Sequence, residues 1–77
     1  MKVKIKFIGV LSVKFGPDPI IVDIDPDHDS LRFKIQALIG NHGSGSISIL
    51  KNGRPLLTYD SIEAGDVFTV FSPISGG

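Results

Sequence analysis

Ile20-Ile21-Val22-Asp23-Ile24-Asp25-Pro26-Asp27-His28-Asp29-Ser30-Leu31 is the stretch on which the fold turns. Its first half is β-branched and of ordinary strand length. Its second half is a turn followed by helix-start chemistry, since Asp27, Asp29 or Ser30 can accept the first free backbone amides of a helix. The periodicity predicts that helix from Leu31 to Ile39, with Leu31, Ile35 and Leu38 on the inner face and Phe33, Ala37 and Ile39 flanking it. Gly40-Asn41 is expected to end it.

Upstream, Lys2-Val3-Lys4-Ile5-Lys6-Phe7 alternates with the period of a strand that is wet on one face. Val3, Ile5 and Phe7 are expected inside and the lysines outside, where they resist edge pairing. Ile8 then falls on the lysine side. Gly9 to Pro19 reads as a connection rich in glycine and proline, though Leu11, Val13 and Phe15 alternate and could extend a strand. Downstream, Ser46 to Lys51 alternates again, and Asn52-Gly53 is a strong hairpin signal. Arg54 to Leu57 reads as a short return strand, confined by Pro55 to an edge. Asp60 to Asp66 suggests one helical turn, and Val67-Phe68-Thr69-Val70-Phe71 is the last strand.

Two strands, a helix and then further strands give a hairpin with a crossover, hence a mixed sheet with a helix on one face. The fold class is α+β, a β-grasp (ubiquitin-like) arrangement with a four- to five-stranded mixed sheet packed on one helix. The first and last strands are expected side by side and parallel in its centre. Residues 1–72 form the body and residues 73–77 a tail.

The chain has 77 residues, with 42% hydrophobic and 21% charged, which is the composition of one small globular domain. It contains no cysteine, so disulfides, thiolate metal sites and a cysteine nucleophile are excluded together. Together with the lack of a signal-like or membrane-spanning stretch, this points to the cytoplasm and to no membrane partner. Eight basic residues balance eight acidic ones, so no net field draws nucleic acid.

The acidic run Asp23-x-Asp25-x-Asp27-x-Asp29 fails the calcium-loop pattern, because His28 and Lys34 stand where glycine and glutamate are needed. His28 and His42 lack further nitrogen or sulfur ligands and read as solvated surface. Gly40 to Ser46 lacks the lysine and the following helix of a phosphate loop. No serine has an evident histidine and acid partner. No metal, no resident cofactor and no catalytic site of the chain's own are therefore expected.

Apolar residues on the outer face carry more. Phe68 and Val70 should face the helix, which leaves Val67, Thr69 and Phe71 outside. Ile8 and Phe71 would then be neighbours, with Leu50 extending a docking patch beside the tail Pro73-Ile74-Ser75-Gly76-Gly77. Gly76 and Gly77 make that tail narrow, and Pro73 stiffens its departure.

Val3 to Gly16, with Phe7-Ile8-Gly9 and Phe15-Gly16, resembles the opening of the MoaD branch of the MoaD/ThiS ubiquitin-like sulfur carriers. Gly65-Asp66-Val67 and the closing Phe71 to Gly77 resemble that branch's end. The helix is shorter than is typical there, and Ser72 stands where the family often has its first proline. The resemblance implies that an E1-like enzyme uses ATP to adenylate Gly77, and that a sulfur donor then leaves a thiocarboxylate on it. It further implies that the tail, Pro73 to Gly77, enters the large subunit of molybdopterin synthase in molybdenum- or tungsten-cofactor biosynthesis. A ThiS-like role in thiazole synthesis, or conjugation of Gly77 to lysines as in ubiquitin-like modifiers, are the alternatives it leaves.

Overall fold

The computed structural model describes residues 1–40 and 47–72. In chain order the elements are β1 (Lys2–Phe7), α1 (Val10–Phe15), β2 (Ile20–Asp23), α2 (His28–Ile39), β3 (Ser48–Lys51), β4 (Arg54–Pro55) and β5 (Val67–Phe71). The five strands form one sheet in the order β2-β1-β5-β3-β4. β1 and β5 pair in parallel in the centre, with Ile5 opposite Phe68 and Phe7 opposite Val70. All other pairings are antiparallel.

This is the β-grasp arrangement expected from the sequence. Its cause is the period-2 pattern of the two central strands. Val3, Ile5, Phe7, Phe68 and Val70 are all buried on one face, where they meet Leu31, Ile35 and Ile39 of α2. Burying such a set stabilises by about 1.5–3 kcal/mol per large side chain, an upper figure against a partly compact unfolded chain.

α2 begins earlier than the periodicity implies. Asp27 is the N-cap, and its Oδ1 accepts from the Ser30 amide at 2.6 Å, so the first turn is already closed at His28. Gly40 ends the helix at φ 59, a left-handed value that glycine takes without strain. Ile39, not Leu38, completes the buried stripe, because Leu31, Ile35 and Ile39 repeat at the i+4 spacing. Phe33 is 77% exposed. The hairpin joining β3 and β4 has positive φ at both Asn52 and Gly53, the primed turn that matches strand twist.

Further local expectations are corrected. The segment after β1 is a helix rather than a loop or strand extension. Leu11 is buried, and the Phe15 ring stacks on Phe7 at 4.1 Å between centroids, so an i, i+4 pair and not alternation governs it. Residues 60–66 form turns instead of a helical turn. There Asp66 Oδ2 accepts from the Glu63 amide and Asp60 Oδ2 from the Leu57 amide, which replaces helical pairing with side-chain pairing. The return strand is only Arg54–Pro55, with one further bond beyond it from the Leu56 amide to the Ile49 carbonyl at 3.0 Å.

His28 is also not simply solvated. It is partly buried, and its Nε2 donates to the Asp60 carbonyl at 2.7 Å, tying the start of α2 to the loop before β5. Among the described residues no helix is long and apolar enough to cross a membrane.

Candidate functional site

The open face of the sheet is set by the same register that buries the other. Lys2 lies opposite Asp23 and Lys4 opposite Ile21 on one side, while Lys4 faces Val67 and Lys6 faces Thr69 across the centre. Farther out, Thr69 faces Leu50 and Phe71 faces Ser48. The Ile8 amide donates to the Val70 carbonyl at 3.1 Å, prolonging the parallel pairing past Phe7. The next register positions, Ile8 and Phe71, therefore fall side by side on this face. Ile8 is 38% exposed, and Phe71 and Leu50 are half-buried.

Phe71 and Leu50 also line a shallow groove of about 340 Å³ with Ser48, Pro55 and Leu56 at the β3–β4 side. The structure thus brings Ile8, Phe71 and Leu50 onto one surface where β5 ends at Phe71. The remaining predicted site residues, Pro73, Ile74, Ser75, Gly76 and Gly77, lie outside the described residues, as does His42.

The start of β5 is held by a polar cluster that sequence reasoning missed. Lys51 is only 9% exposed, and its Nζ donates to the Ser61 carbonyl at 2.7 Å and lies 3.7 Å from Asp66 Oδ2. Asn52 Nδ2 donates to Asp66 Oδ1 at 3.1 Å, and the Val67 amide donates to Asn52 Oδ1 at 2.9 Å. Lys51 sits opposite Phe68, so its place in the alternation was the available signal. A lysine at a strand end reads more readily as solvated.

The acidic side chains are unevenly placed along β5, although Lys2, Lys4, Lys51, Arg54 and the Met1 amine stand among them at the same end. Asp23, Asp25, Asp27 and Asp29 cluster where β2 passes into α2, at the end of the sheet where β5 begins. Asp60, Glu63 and Asp66 lie in the loop leading into β5, at that same end. Only Asp18, between α1 and β2, lies at the end where β5 stops. Asp23 is held below the usual carboxylate range, chiefly by a hydrogen bond from the Met1 amine at 3.0 Å, then by that amine's charge and by Lys2. The acidic run is thereby accounted for by a strand end and a helix cap. Among the described residues no cluster of His, Asp and Glu has the makings of a metal site.

A parallel β1–β5 pair at the centre of a mixed sheet, gripping one long helix, defines a ubiquitin-like β-grasp protein. Solved structures of the same architecture match essentially the whole chain. One is small archaeal modifier protein 1 from Haloferax volcanii, at 27% identity and TM-score 0.65, with 100% of each chain covered. Another is from the complex of subunits 1 and 2 of the molybdopterin-converting factor of Helicobacter pylori, at 20% identity, TM-score 0.71 and 100% of each chain. A third is the Haloferax volcanii HVO 2177 protein, at 25% identity and TM-score 0.67, covering 100% of this chain and 87% of that one. These neighbours fit the MoaD/ThiS-like resemblance carried by the two ends of the sequence. No protein-family model matches the chain, and no curated protein does.

Proposed function

We propose that this chain is a sulfur carrier whose terminal Gly77 is activated by a partner enzyme and converted to a thiocarboxylate. The observation that carries the reading is the position of β5. It is a central strand, bonded on both sides, and it delivers Ser72 and the sequence Pro73-Ile74-Ser75-Gly76-Gly77 from beside an apolar surface. A terminus so rooted can be offered to another protein without disturbing the core.

In this cycle the Gly77 carboxylate oxygen attacks the α-phosphorus of ATP in an E1-like enzyme, and pyrophosphate leaves. A donor at the sulfide level then adds to the acyl carbon and AMP departs, leaving the thiocarboxylate. The tail's narrowness suits a tunnel, because Gly76 and Gly77 lack Cβ atoms. Ordering it on docking costs about 1–2 kcal/mol per residue in backbone entropy, which burial of Ile8 and Phe71 would offset. A large synthase subunit as the recipient and pterin sulfuration as the use are what the resemblance of the two ends implies, and the neighbour from a complex of subunits 1 and 2 of a molybdopterin-converting factor shares the fold. In this reading ATP and the sulfur donor act through partners.

Intact-mass analysis of the protein from its own cells tests this. Replacement of one oxygen by sulfur at Gly77 is expected, and deletion of Gly76 and Gly77 should abolish activation. An unmodified carboxylate after incubation with the adenylating enzyme, ATP and a sulfide source would overturn the reading. The likeness to small archaeal modifier protein 1 favours a second use of the same terminus, as an isopeptide to lysine. Lysine remnants carrying the tail in a proteome digest would reveal it.

A further inference from the structure

We infer that the groove at the β3–β4 side is a resting site for the chain's own C-terminal segment, with Ile74 in its apolar part and the Gly77 carboxylate on Arg32. The carboxylate contact rests on the reading above, in which Gly77 is the reactive terminus.

The register gives the groove its direction. Phe71 stands opposite Ser48, and two residues farther along β3, on the same face, Leu50 stands opposite Pro55. A small serine between Phe71 and the rim of Pro55 and Leu56 leaves a trough that runs across the strands, from β5 over β3 to the edge.

Connectivity names the occupant. Phe71 is both a wall of the groove and the last residue of β5, so the chain leaves from the rim. Five residues follow Ser72, and they reach at most about 17 Å. By strand spacing and rise, Pro55 lies within roughly 12 Å of Phe71. A segment rooted so close is present at an effective concentration of about millimolar, which a free molecule must match by diffusion.

The chemistry of the segment agrees with the lining. Ile74 is the one large apolar side chain after Ser72, and Leu50, Pro55 and Leu56 offer it an apolar seat. The one charged residue on the lining is Arg32 of α2, an exposed side chain. Among the described residues no acid lies within ion-pair distance of it. The side chains of residues 73–77 carry no charge, so the terminal carboxylate is the charge this segment brings. A guanidinium can hold a carboxylate through two parallel N–H donors. Pro73, with its fixed φ, suits the second place of a reverse turn begun by Ser72.

Docking in the groove covers Phe71 and Leu50, which belong to the patch beside the tail. A receiving protein that covers this patch displaces the segment as it binds. Its apparent affinity is then lowered in proportion to the fraction of chains whose tail is released.

Nuclear magnetic resonance on the isotope-labelled full chain at low salt tests this. A nuclear Overhauser contact is expected between the Ile74 δ methyl and the methyls of Leu50 or Leu56. Ile74→Ser should shift the Ser48, Leu50 and Leu56 amides. Arg32→Gln should move the Gly77 amide toward its position in the free peptide Pro-Ile-Ser-Gly-Gly. Added salt should move Gly77 the same way in the parent and no further in Arg32→Gln. Circular dichroism should give both variants the parent melting curve, since Arg32 is exposed and Ile74 follows the last strand.

If the contact is absent and Ile74→Ser shifts only its neighbours in sequence, the resting site is wrong and the carrier reading stands. A Gly77 amide that ignores Arg32→Gln overturns the carboxylate contact. A contact seen only between labelled and unlabelled copies makes a second chain's tail the occupant, which also overturns the proposal. A chain that keeps the contact yet never becomes a thiocarboxylate ends the carrier reading, while the groove keeps its occupant.

Discussion

The two faces of this sheet are built by the same strands, and one-residue steps separate them. On the covered face Ile5, Phe7, Phe68 and Val70 are fully buried against α2. On the open face their neighbours Lys4, Lys6, Thr69 and Phe71 meet water in part or in full. The covered face pays attention only to volume and shape, and any close-packed apolar set would serve it. The open face is under no such demand. Apolar residues there, and especially those gathered where β5 ends, need a reason outside the fold.

Substitutions on either face can break that contrast. The largest effect is expected for Phe68→Ala, which empties the centre of the covered face and should cost about 3–5 kcal/mol by urea denaturation. Lys51→Met comes next, although it exchanges a charge for a side chain of similar length. It removes the donor to Ser61 and strips Asp66 of its nearest cation, so a loss of about 2 kcal/mol is expected in the same assay. A neutral or stabilising result would mean that the cluster contributes nothing beyond packing.

Phe71→Lys should cost about 1 kcal/mol or less in stability while impairing transfer to the partner. If it unfolds the domain instead, Phe71 belongs to the core and the contrast between faces is drawn in the wrong place. The smallest effect concerns Asp23. Its carboxyl titrates lower in the folded chain than in the unfolded one, so its stabilising contribution is present above the ordinary carboxylate range. That contribution is lost as pH falls through the depressed folded value. Urea midpoints taken from neutral pH downward should therefore decline less for Asp23→Asn than for the parent. Both partners are exposed, so the difference should be small.

Much of the covered face was legible in the sequence because alternation is a strong signal. Val3, Ile5, Phe7, Phe68 and Val70 all lie where their spacing put them. The parallel pairing followed from the order of the elements, since a strand that must return beside the first after a crossover has few places to go. α1 was not legible. Its six residues are too few for a helical period to outweigh alternation, and the stacking of Phe15 on Phe7 that settles it is a tertiary contact. Residues 60–66 misled for a similar reason, as Asp60 and Asp66 could equally cap a helix or brace a turn. Of the candidate site, Ile8, Phe71 and Leu50 were placed by alternation alone.

The β1–β5 pairing has a consequence for synthesis. The first strand made must wait for the last, since Ile5 and Phe7 find their central partners only in Phe68 and Val70. Contacts so distant in sequence close slowly and leave the early chain without a finished core. A nascent or truncated chain that stops before β5 should thus remain unfolded and open to proteolysis. Folding itself then acts as a quality check: a body that has formed is one whose message was read through to the strand that bears the tail.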